Sequence, residues 1–282
     1  MSPENQIGYY RPFEAIERAI TQKAELARSF PQQIGIDGLS AVGKGTLANR
    51  LADLLHVPYF NTGMVYRAIT TAILQDRTPI DTVNDDQLGK MLRNINVFYP
   101  GSLGSSHIDI ETPNHRKKDI TGLTQTAYIE NAVSAIAGRL PTRQKVEAIQ
   151  EKFLQDNPAC VIEGRNMREV LKKVPSENKF LLYVYASPEE LAKRLQNRRN
   201  ESYDIAKDSV LTRIRSDYNR AHGRVYPPYE ANMSGDYHLV IDSTFLQHSE
   251  VVLTTLTALT QKIQTQEVGL RTSAPTAAAP VR

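Results

Sequence analysis

The sequence is poor in cysteine and contains no apolar run long enough to cross a membrane. Cys160 is the single cysteine among 282 residues, so no disulfide can form within the chain. We therefore expect a reducing compartment, the cytoplasm or a reduced organelle, and interpret Cys160 as a buried structural thiol. No stretch reaches the length of about 18 apolar residues that a membrane helix needs. The first residues, MSPENQIGYYRPF, lack the basic start and apolar core of a secretory signal.

The chain also has no tryptophan and little net charge. Its formal charge is +3, with 40% hydrophobic and 23% charged residues, as in an ordinary globular protein. The whole molecule is therefore not a surface for polyanions, and any positive field must be local. Such a field is predicted between Lys193 and Arg224, where nine basic residues stand against four acidic ones. Few aromatic residues lie among these cations to stack on bases, so we expect no nucleic-acid partner.

Apolar patterns of strand and helix type alternate along most of the chain and predict an α/β fold. The runs QQIGID, ACVIEG and KFLLYVYA are typical of buried strands, and each is followed by a helical pattern. This alternation predicts a three-layer α/β/α sandwich with a parallel sheet, in which ligands bind at the carboxyl ends of the strands. Two alternating segments, NINVFYP and SHIDIET, predict a small antiparallel hairpin inserted into this order.

Three regions are predicted along the chain. Residues 1–30 form a helical extension, residues 31–266 the main domain and residues 267–282 a disordered tail, because the tail has almost nothing apolar to bury. Ser187, Pro188 and the two glutamates after them predict the start of a helix. That helix and the next one carry the basic segment, and we interpret the pair, about residues 190–228, as a lid that closes over phosphate.

The stretch from Gly38 to Lys44, GLSAVGK, lies between a predicted strand and a predicted helix. Its pattern, Gly-x4-Gly-Lys, is that of a loop whose backbone N–H groups surround phosphate and whose lysine reaches the β- and γ-phosphates. Gly45 follows the lysine where a hydroxyl residue is common, so Thr46 is the predicted Mg²⁺ ligand. The residues predicted to bind ATP are Gly38, Leu39, Ser40, Ala41, Val42, Gly43, Lys44, Gly45 and Thr46.

Arginines near predicted strand ends indicate a second anionic substrate. Arg67 lies one turn into the helix that follows VPYFN, and Arg165 follows the strand that ends at Glu163. Both positions lie at the sheet edge where ligands bind, and a guanidinium group donates two parallel hydrogen bonds to a phosphate. Ser134 and Arg143 lie in the helical region after the hairpin.

Together these motifs resemble those of bacterial-type cytidylate kinases, a family of nucleoside monophosphate kinases with the P-loop NTPase fold. GLSAVGKGT resembles the phosphate loop of the family, NTGMVYR its acceptor-phosphate motif and NAVSAIA its base-reading segment. IEGRNM resembles a strand-end motif usually written Asp-Gly-Arg-Asp-Met. The hairpin before KKDIT is similar to the enlarged monophosphate-binding insertion of the family, here about residues 78–158. The resemblance covers about residues 32–264.

The resemblance implies transfer of the γ-phosphoryl group of ATP, with Mg²⁺, to CMP or dCMP. It implies catalytic roles for Lys44, Arg165, Arg220 and Arg224, and we add Arg194 to the ATP-binding residues. The residues implied to contact the pyrimidine nucleoside monophosphate are Thr62, Arg67, Ser134, Arg143, Arg165 and Asn166. We expect a monomer without a membrane partner.

Three departures from the family pattern keep alternatives open. Ala41 stands where a glycine is usual, and its methyl group suits the loop if its φ angle is negative. Glu163 and Asn166 stand where aspartates are usual, and an asparagine accepts a hydrogen bond without carrying a charge. The alternatives are a P-loop kinase for another small acceptor (UMP, AMP or a shikimate-like compound) and a non-catalytic ATP-binding interaction protein.

Overall fold

The computed structural model describes residues 12–30, 32–39, 41–75, 80–98, 108–122, 127–173, 178–220 and 235–273. In chain order, its strands are β1 (Gln33–Gly38), β2 (Tyr59–Asn61), β3 (Asn96–Phe98), β4 (Asp109–Thr112), β5 (His115–Asp119), β6 (Cys160–Glu163), β7 (Lys179–Tyr185) and β8 (Leu239–Asp242). Its helices are α1 (Pro12–Arg28), α2 (Lys44–Leu55), α3 (Thr62–Gln75), α4 (Asp85–Arg93), α5 (Ala127–Ala137), α6 (Leu140–Asp156), α7 (Met167–Lys173), α8 (Pro188–Arg199), α9 (Tyr203–Arg220) and α10 (His248–Ser273).

Five parallel strands form the central sheet in the order β2-β6-β1-β7-β8. β1 lies in the middle, and all six of its residues are buried. Its neighbours β6 and β7 come from far along the chain, so their carboxyl ends are brought beside the loop that follows β1. The parallel sheet confirms the α/β fold predicted from the alternation of patterns.

Helices cover both faces of this sheet, as the continuous apolar run of β7 predicts. Phe180, Leu182 and Val184 pack in a hydrophobic cluster with helices α1, α2, α8, α9 and α10. Leu181, between them in the strand, packs in a second cluster with helices α3, α4, α6 and α7. Successive side chains of a strand point to opposite faces, so both faces of β7 are buried. The predicted three-layer arrangement is confirmed.

A second, antiparallel sheet of three strands lies in the predicted insertion, in the order β3-β4-β5. The sequence predicted only the hairpin of β3 and β4, with the turn GSLGS in residues 99–107, which lie outside the described part of the chain. β5, with the sequence HRKKD, was missed because it carries charged side chains where a strand signal needs apolar alternation. Lys117 of β5 instead lies over the ring of Phe98, with 4.4 Å from Nζ to the ring centroid.

Helix α1, predicted as part of an extension before the main domain, packs against the core. Ile20, Ala24 and Ala27 are buried in the same hydrophobic cluster as β1 and β7. Arg28 Nε donates a hydrogen bond of 2.7 Å to the carbonyl oxygen of Leu54 in α2. The apolar face of α1 therefore belongs to the core around the central sheet.

Helix α10 continues to Ser273, into the segment that was predicted to be a disordered tail from residue 267. The upstream part of α10 is packed, with Leu256, Leu259 and Ile263 buried, and adding a residue to an existing helix costs little. Residues 274–282 lie outside the described residues. In the ranges that are described, no helix combines the length and apolar character needed to cross a membrane.

The single cysteine lies in β6, in the core. Burial raises the pKa of the Cys160 thiol to about 12, so the group stays protonated near neutral pH. This confirms the interpretation of Cys160 as a buried structural thiol.

Candidate active site

Glycines shape the loop between β1 and α2. Gly38 has a φ angle of +145°, and a Cβ atom there would lie 2.1 Å from the carbonyl oxygen of Val184 in β7. Gly43, the N-cap of α2, has a φ angle of +90°, and a Cβ atom there would meet nothing within 4 Å. Gly38 therefore lets the chain leave the sheet in close contact with β7, and Gly43 leaves open space in front of α2. Ser40, also predicted in this loop, lies outside the described residues.

Ala41 differs from the expectation of a negative φ angle. Its φ angle is +67°, in the left-handed region, where a Cβ atom crowds the backbone. The loop needs this turn to bring its amides round towards α2, so tertiary geometry overrides the preference of alanine. Ala41 is therefore held in a strained conformation that a glycine would adopt freely.

Replacing Ala41 with glycine is expected to raise the free energy of unfolding by about 0.5–1 kcal/mol. Relief of about 1–2 kcal/mol of left-handed strain is partly offset by the larger unfolded-state entropy of glycine. Chemical denaturation measures the change. The control, Ala48→Gly in the buried face of α2, is expected to be destabilising by at least about 1 kcal/mol. If Ala41→Gly has a lower free energy of unfolding than the unsubstituted protein, Ala41 is not strained.

Lys44 begins α2 and lies over the loop that precedes it. Its Nζ donates hydrogen bonds to the carbonyl oxygens of Gly38, at 2.9 Å, and Leu39, at 2.7 Å. The N-terminus of α2 has no side-chain cap and no acidic residue in its first turn, whereas α8 begins with Glu189 and Glu190. An amide-rich helix start without a competing carboxylate, beside an ammonium group, is suited to bind an anion.

The register of the sheet brings the second group of motif residues to this loop. Glu163, the last residue of β6, pairs with Ile36 of β1 on one side and Asn61 of β2 on the other. A Cβ atom on Gly45 would lie 3.1 Å from Glu163 Oε1, and one on Gly164 would lie 3.0 Å from Thr62 Oγ1. The ends of three neighbouring strands thus place Thr62, Glu163 and the following Arg165 at one edge, beside the glycine-rich loop.

Glu163 is held by a hydrogen-bonded chain that the sequence did not predict. The Tyr59 hydroxyl donates a bond of 2.6 Å to Glu163 Oε1, and Asn61 Nδ2 donates one of 3.1 Å to the Tyr59 oxygen. Asn61 Oδ1 also accepts a bond from the backbone amide of Met64, in the first turn of α3. The carboxylate is therefore buried but oriented, with its position linked to the start of α3.

Gln150 links the two motifs that flank this edge. This buried residue of α6 donates a hydrogen bond of 2.7 Å to Thr62 Oγ1. It also exchanges two bonds of 3.3 Å with the side-chain amide of Asn166. Its only sequence signal was its place on the buried face of α6 with Thr142 and Val146. Gln150 therefore fixes Asn166 relative to Thr62.

Asp37, in β1, anchors the segment that carries Arg165 and Asn166. Its buried carboxylate accepts hydrogen bonds from the backbone amides of Met167 and Arg168, which start α7, and from the Tyr237 hydroxyl. Burial raises the pKa of Asp37, against the opposing effect of these hydrogen bonds. Asp37 lies within a strand and Tyr237 lies 200 residues away, so only the fold reveals that they meet.

The segment of Asp236, Tyr237 and His238 is tied to α7 and β7. Asp236 pairs with Arg168 at 2.7 Å, and His238 Nδ1 accepts a hydrogen bond of 3.0 Å from the Leu181 amide. The histidine must be neutral to accept this bond. Burial lowers the pKa of His238 below its ordinary 6.5, helped by the charge of Lys262.

Lowering the pH below about 6.5 is therefore expected to reduce the free energy of unfolding through His238. Because the pKa of His238 is lower in the folded state, the unfolded chain binds more protons as the pH falls. The stabilisation that comes from neutral His238 is therefore complete above pH 6.5 and is lost as the pH drops through the folded-state pKa. His238→Asn keeps an acceptor at the same place without titrating. Denaturation at pH 5 and pH 7.5 is expected to show a smaller pH effect in this variant, and an equal effect would contradict the role of His238.

A cleft of about 400 Å³ lies between α2, α8 and the segment after β8. Its lining includes Val42, Gly43, Thr46 and Arg194. The Arg194 guanidinium donates hydrogen bonds to Glu190 at 2.9 Å and to the Ser243 hydroxyl at 3.2 Å and carbonyl oxygen at 2.5 Å. Arg194 is thus placed at a cleft that adjoins the start of α2.

The comparison with known sequences now decides the family. The family profile described as cytidylate kinase matches residues 34–262. The chain belongs to the cytidylate kinase family. This confirms the resemblance inferred from the motifs, and the protein is a phosphotransferase. The cytidylate kinases of Citrobacter koseri and of Escherichia coli O1:K1 / APEC are each 27% identical to it over 235 residues, which is 82% of this chain and 96% of each relative.

Two solved structures of kinases are similar at lower identity. A gluconokinase from Sinorhizobium meliloti 1021 covers 85% of this chain and 98% of its own, with 13% identity and a TM-score of 0.46. A shikimate kinase from Bacteroides thetaiotaomicron covers 83% of this chain and 98% of its own, with 10% identity and a TM-score of 0.40.

For the remaining predicted site residues, the structure describes the side chains of some and only the backbone, or nothing, of others. Arg67, in the second turn of α3, and Arg165, between β6 and α7, are both half-buried. Arg143 lies two turns before Gln150 on α6, and its buried Nε has no hydrogen-bond partner in the described part of the protein. Ser134 lies in α5 and Arg220 ends α9, but their side chains are outside the description, as is all of Arg224.

Proposed function

We propose that the protein transfers the γ-phosphoryl group of ATP to CMP or dCMP, giving ADP and CDP or dCDP. The observation that carries this proposal is the meeting of three motifs at the ends of adjacent strands. The anion-binding loop with Lys44 follows β1, the segment of Glu163 and Arg165 ends β6, and Thr62 follows β2. One anion is proposed to bind at the loop and a second beside the arginines, so that the phosphoryl group passes between the ends of neighbouring strands.

The donor phosphates are proposed to bind residues 38–46, with the amides of the loop and the Lys44 ammonium as donors. Mg²⁺ bound with ATP supplies further neutralisation of the phosphate charge. Thr46 and Glu163 fit such an ion, because both offer oxygen at the start of α2, where Gly45 has no side chain of its own. No group of three or more His, Cys, Asp or Glu side chains in the described ranges could hold a metal by itself. This fits an ion carried mainly by phosphate oxygens and water.

The acceptor is proposed to bind through Arg67, Arg165 and Thr62 at its phosphate and ribose, and through Ser134, Arg143 and Asn166 at its base. The unsatisfied Nε of Arg143 supports this, because a buried guanidinium nitrogen without a partner needs an acceptor. Asn166 can accept a bond from the exocyclic amine of cytosine and can also donate one to the carbonyl of uracil. UMP is therefore the main alternative to CMP as the acceptor substrate.

Positioning and charge neutralisation account for the chemistry. The acceptor phosphate oxygen is already a nucleophile near neutral pH, so no strong general base is required. Two charges of equal sign at 4 Å repel by about 4 kcal/mol at an effective dielectric of about 20. Lys44, Arg165, Arg220 and Arg224 are proposed to offset this repulsion as the charge moves. Closure of α8 and α9 over the phosphates would keep water away from the transferred group.

A panel of acceptors tests the proposal. The protein is incubated with MgATP and each of CMP, dCMP, UMP, AMP and GMP, and ADP formation is followed. CMP and dCMP are expected to raise ADP formation far above the rate without acceptor. If no monophosphate does so although ATP binds, the protein is a non-catalytic nucleotide-binding protein. The cytoplasmic location and the monomeric state remain predictions from the sequence.

A further inference from the structure

Phe245 is an exposed aromatic residue beside the cleft that adjoins α2. Its side chain is 93% exposed, more than any other large hydrophobic residue in the described ranges. It nevertheless lines the cleft together with Val42, Gly43 and Thr46. An isolated exposed aromatic side chain needs no explanation, but one at the rim of a cleft next to an anion-binding helix start offers a flat apolar surface to a ligand.

The segment that carries Phe245 is held firmly on both sides. The Ser243 amide and hydroxyl donate hydrogen bonds of 2.8 and 2.9 Å to the carbonyl oxygen of Tyr185. Thr244 Oγ1 accepts a bond of 2.9 Å from the Ser187 amide. The Gln247 amide donates a bond of 2.6 Å to Glu250 Oε2. Phe245 is therefore carried by an ordered backbone, and little backbone conformational entropy remains to be lost when a ligand binds.

We propose that Phe245 stacks on the purine ring of the nucleotide donor. This rests on the proposed function, because the phosphates of the donor must lie at Lys44 for its base to reach the cleft. The cleft of about 400 Å³ is within the range that holds small ligands. Arg194 lies in the same lining, fixed by Glu190 and Ser243. Stacking recognises the face of a base and not its edge, so Phe245 contributes equally to ATP and GTP.

The absence of tryptophan makes the proposal directly observable. Phe245→Trp introduces the only indole, and stacking on a purine is expected to change its emission. Saturating ADP is expected to quench the signal, whereas tripolyphosphate, which lacks a base, is expected to bind without quenching it. The control is Phe13→Trp, at an aromatic position of α1 that is 64% exposed, where ADP should leave the emission unchanged. Unchanged Phe245→Trp emission while calorimetry reports ADP binding, or equal quenching by tripolyphosphate, would overturn the proposal.

Affinity gives a second readout. Phe245→Ala is expected to weaken ADP binding and to raise the KM for ATP and GTP by about tenfold, with kcat and the affinity for tripolyphosphate within about twofold. Phe245→Tyr, which keeps the ring, is expected to restore most of the affinity, and Phe13→Ala to change nothing. Unaltered ADP affinity in Phe245→Ala would overturn the proposal even with full kinase activity. Base-dependent quenching without phosphorylation of any acceptor would instead refute the proposed function and leave the stacking intact.

Discussion

Replacing Lys44 with methionine is expected to lower kcat by about a thousandfold or more while the protein stays folded. Methionine has a similar length but no charge, and the loss of a preorganised charge at a transferred phosphoryl group typically has an effect of this size or larger. The two hydrogen bonds from Nζ to the loop carbonyls are also lost, at a cost of about 1 kcal/mol each. Coupled measurement of ADP release and thermal unfolding followed by circular dichroism separate the two effects.

The matched control for this substitution is Lys90→Met, at an exposed position of α4. It removes the same charge far along the chain from the loop between β1 and α2, and we expect kcat to stay within about twofold and stability within about 0.5 kcal/mol. A Lys44→Met enzyme with more than a tenth of the original kcat would show that Lys44 does not act on the transferred group.

Replacing Gly38 with alanine is expected to cost about 3 kcal/mol or more of unfolding free energy and to abolish ATP binding. The new methyl group would lie 2.1 Å from the carbonyl oxygen of Val184, and the φ angle of +145° is strained for any residue with a side chain. A carbonyl of a central strand cannot move without breaking the β1–β7 pairing. The measurements are chemical denaturation and calorimetric titration with ADP.

Gly43→Ala separates backbone strain from steric conflict. Its φ angle of +90° is unfavourable for alanine, but the methyl group would meet nothing within 4 Å. We therefore expect a cost of only about 1–2 kcal/mol for this variant. Equal destabilisation by the two substitutions would mean that the close contact with Val184 is not the reason why position 38 excludes a side chain.

Local patterns predicted the elements well, because short-range physics determines them. The N-cap predicted at Ser187 is present, with its side chain accepting a bond of 3.2 Å from the Glu190 amide. The run KFLLYVYA predicted a strand covered on both faces, and β7 is such a strand. β5 was missed because its register is determined by its pairing with β4, and its own side chains give no apolar signal.

Interactions between distant parts of the chain could not be predicted in the same way. The strain at Ala41 arises from the path of the loop between β1 and α2, and alanine by itself favours a negative φ angle. The contacts of Gln150 with Thr62 and Asn166 join residues 88 and 16 positions apart. Their side chains are ordinary in isolation, and only packing gives them a place at the site.

The sequence by itself determined the family and the class of reaction, and it predicted the loop proposed to bind phosphate, because glycines and a lysine at fixed spacing have few other physical uses. Only the tertiary structure decided what holds the site in place: the anchor from Asp37 to α7, the chain from Tyr59 to Glu163 and the display of Phe245 at the cleft. The physical reason is that parallel strands pair across long stretches of chain, so side chains meet at their carboxyl ends in an arrangement that no short window of sequence contains.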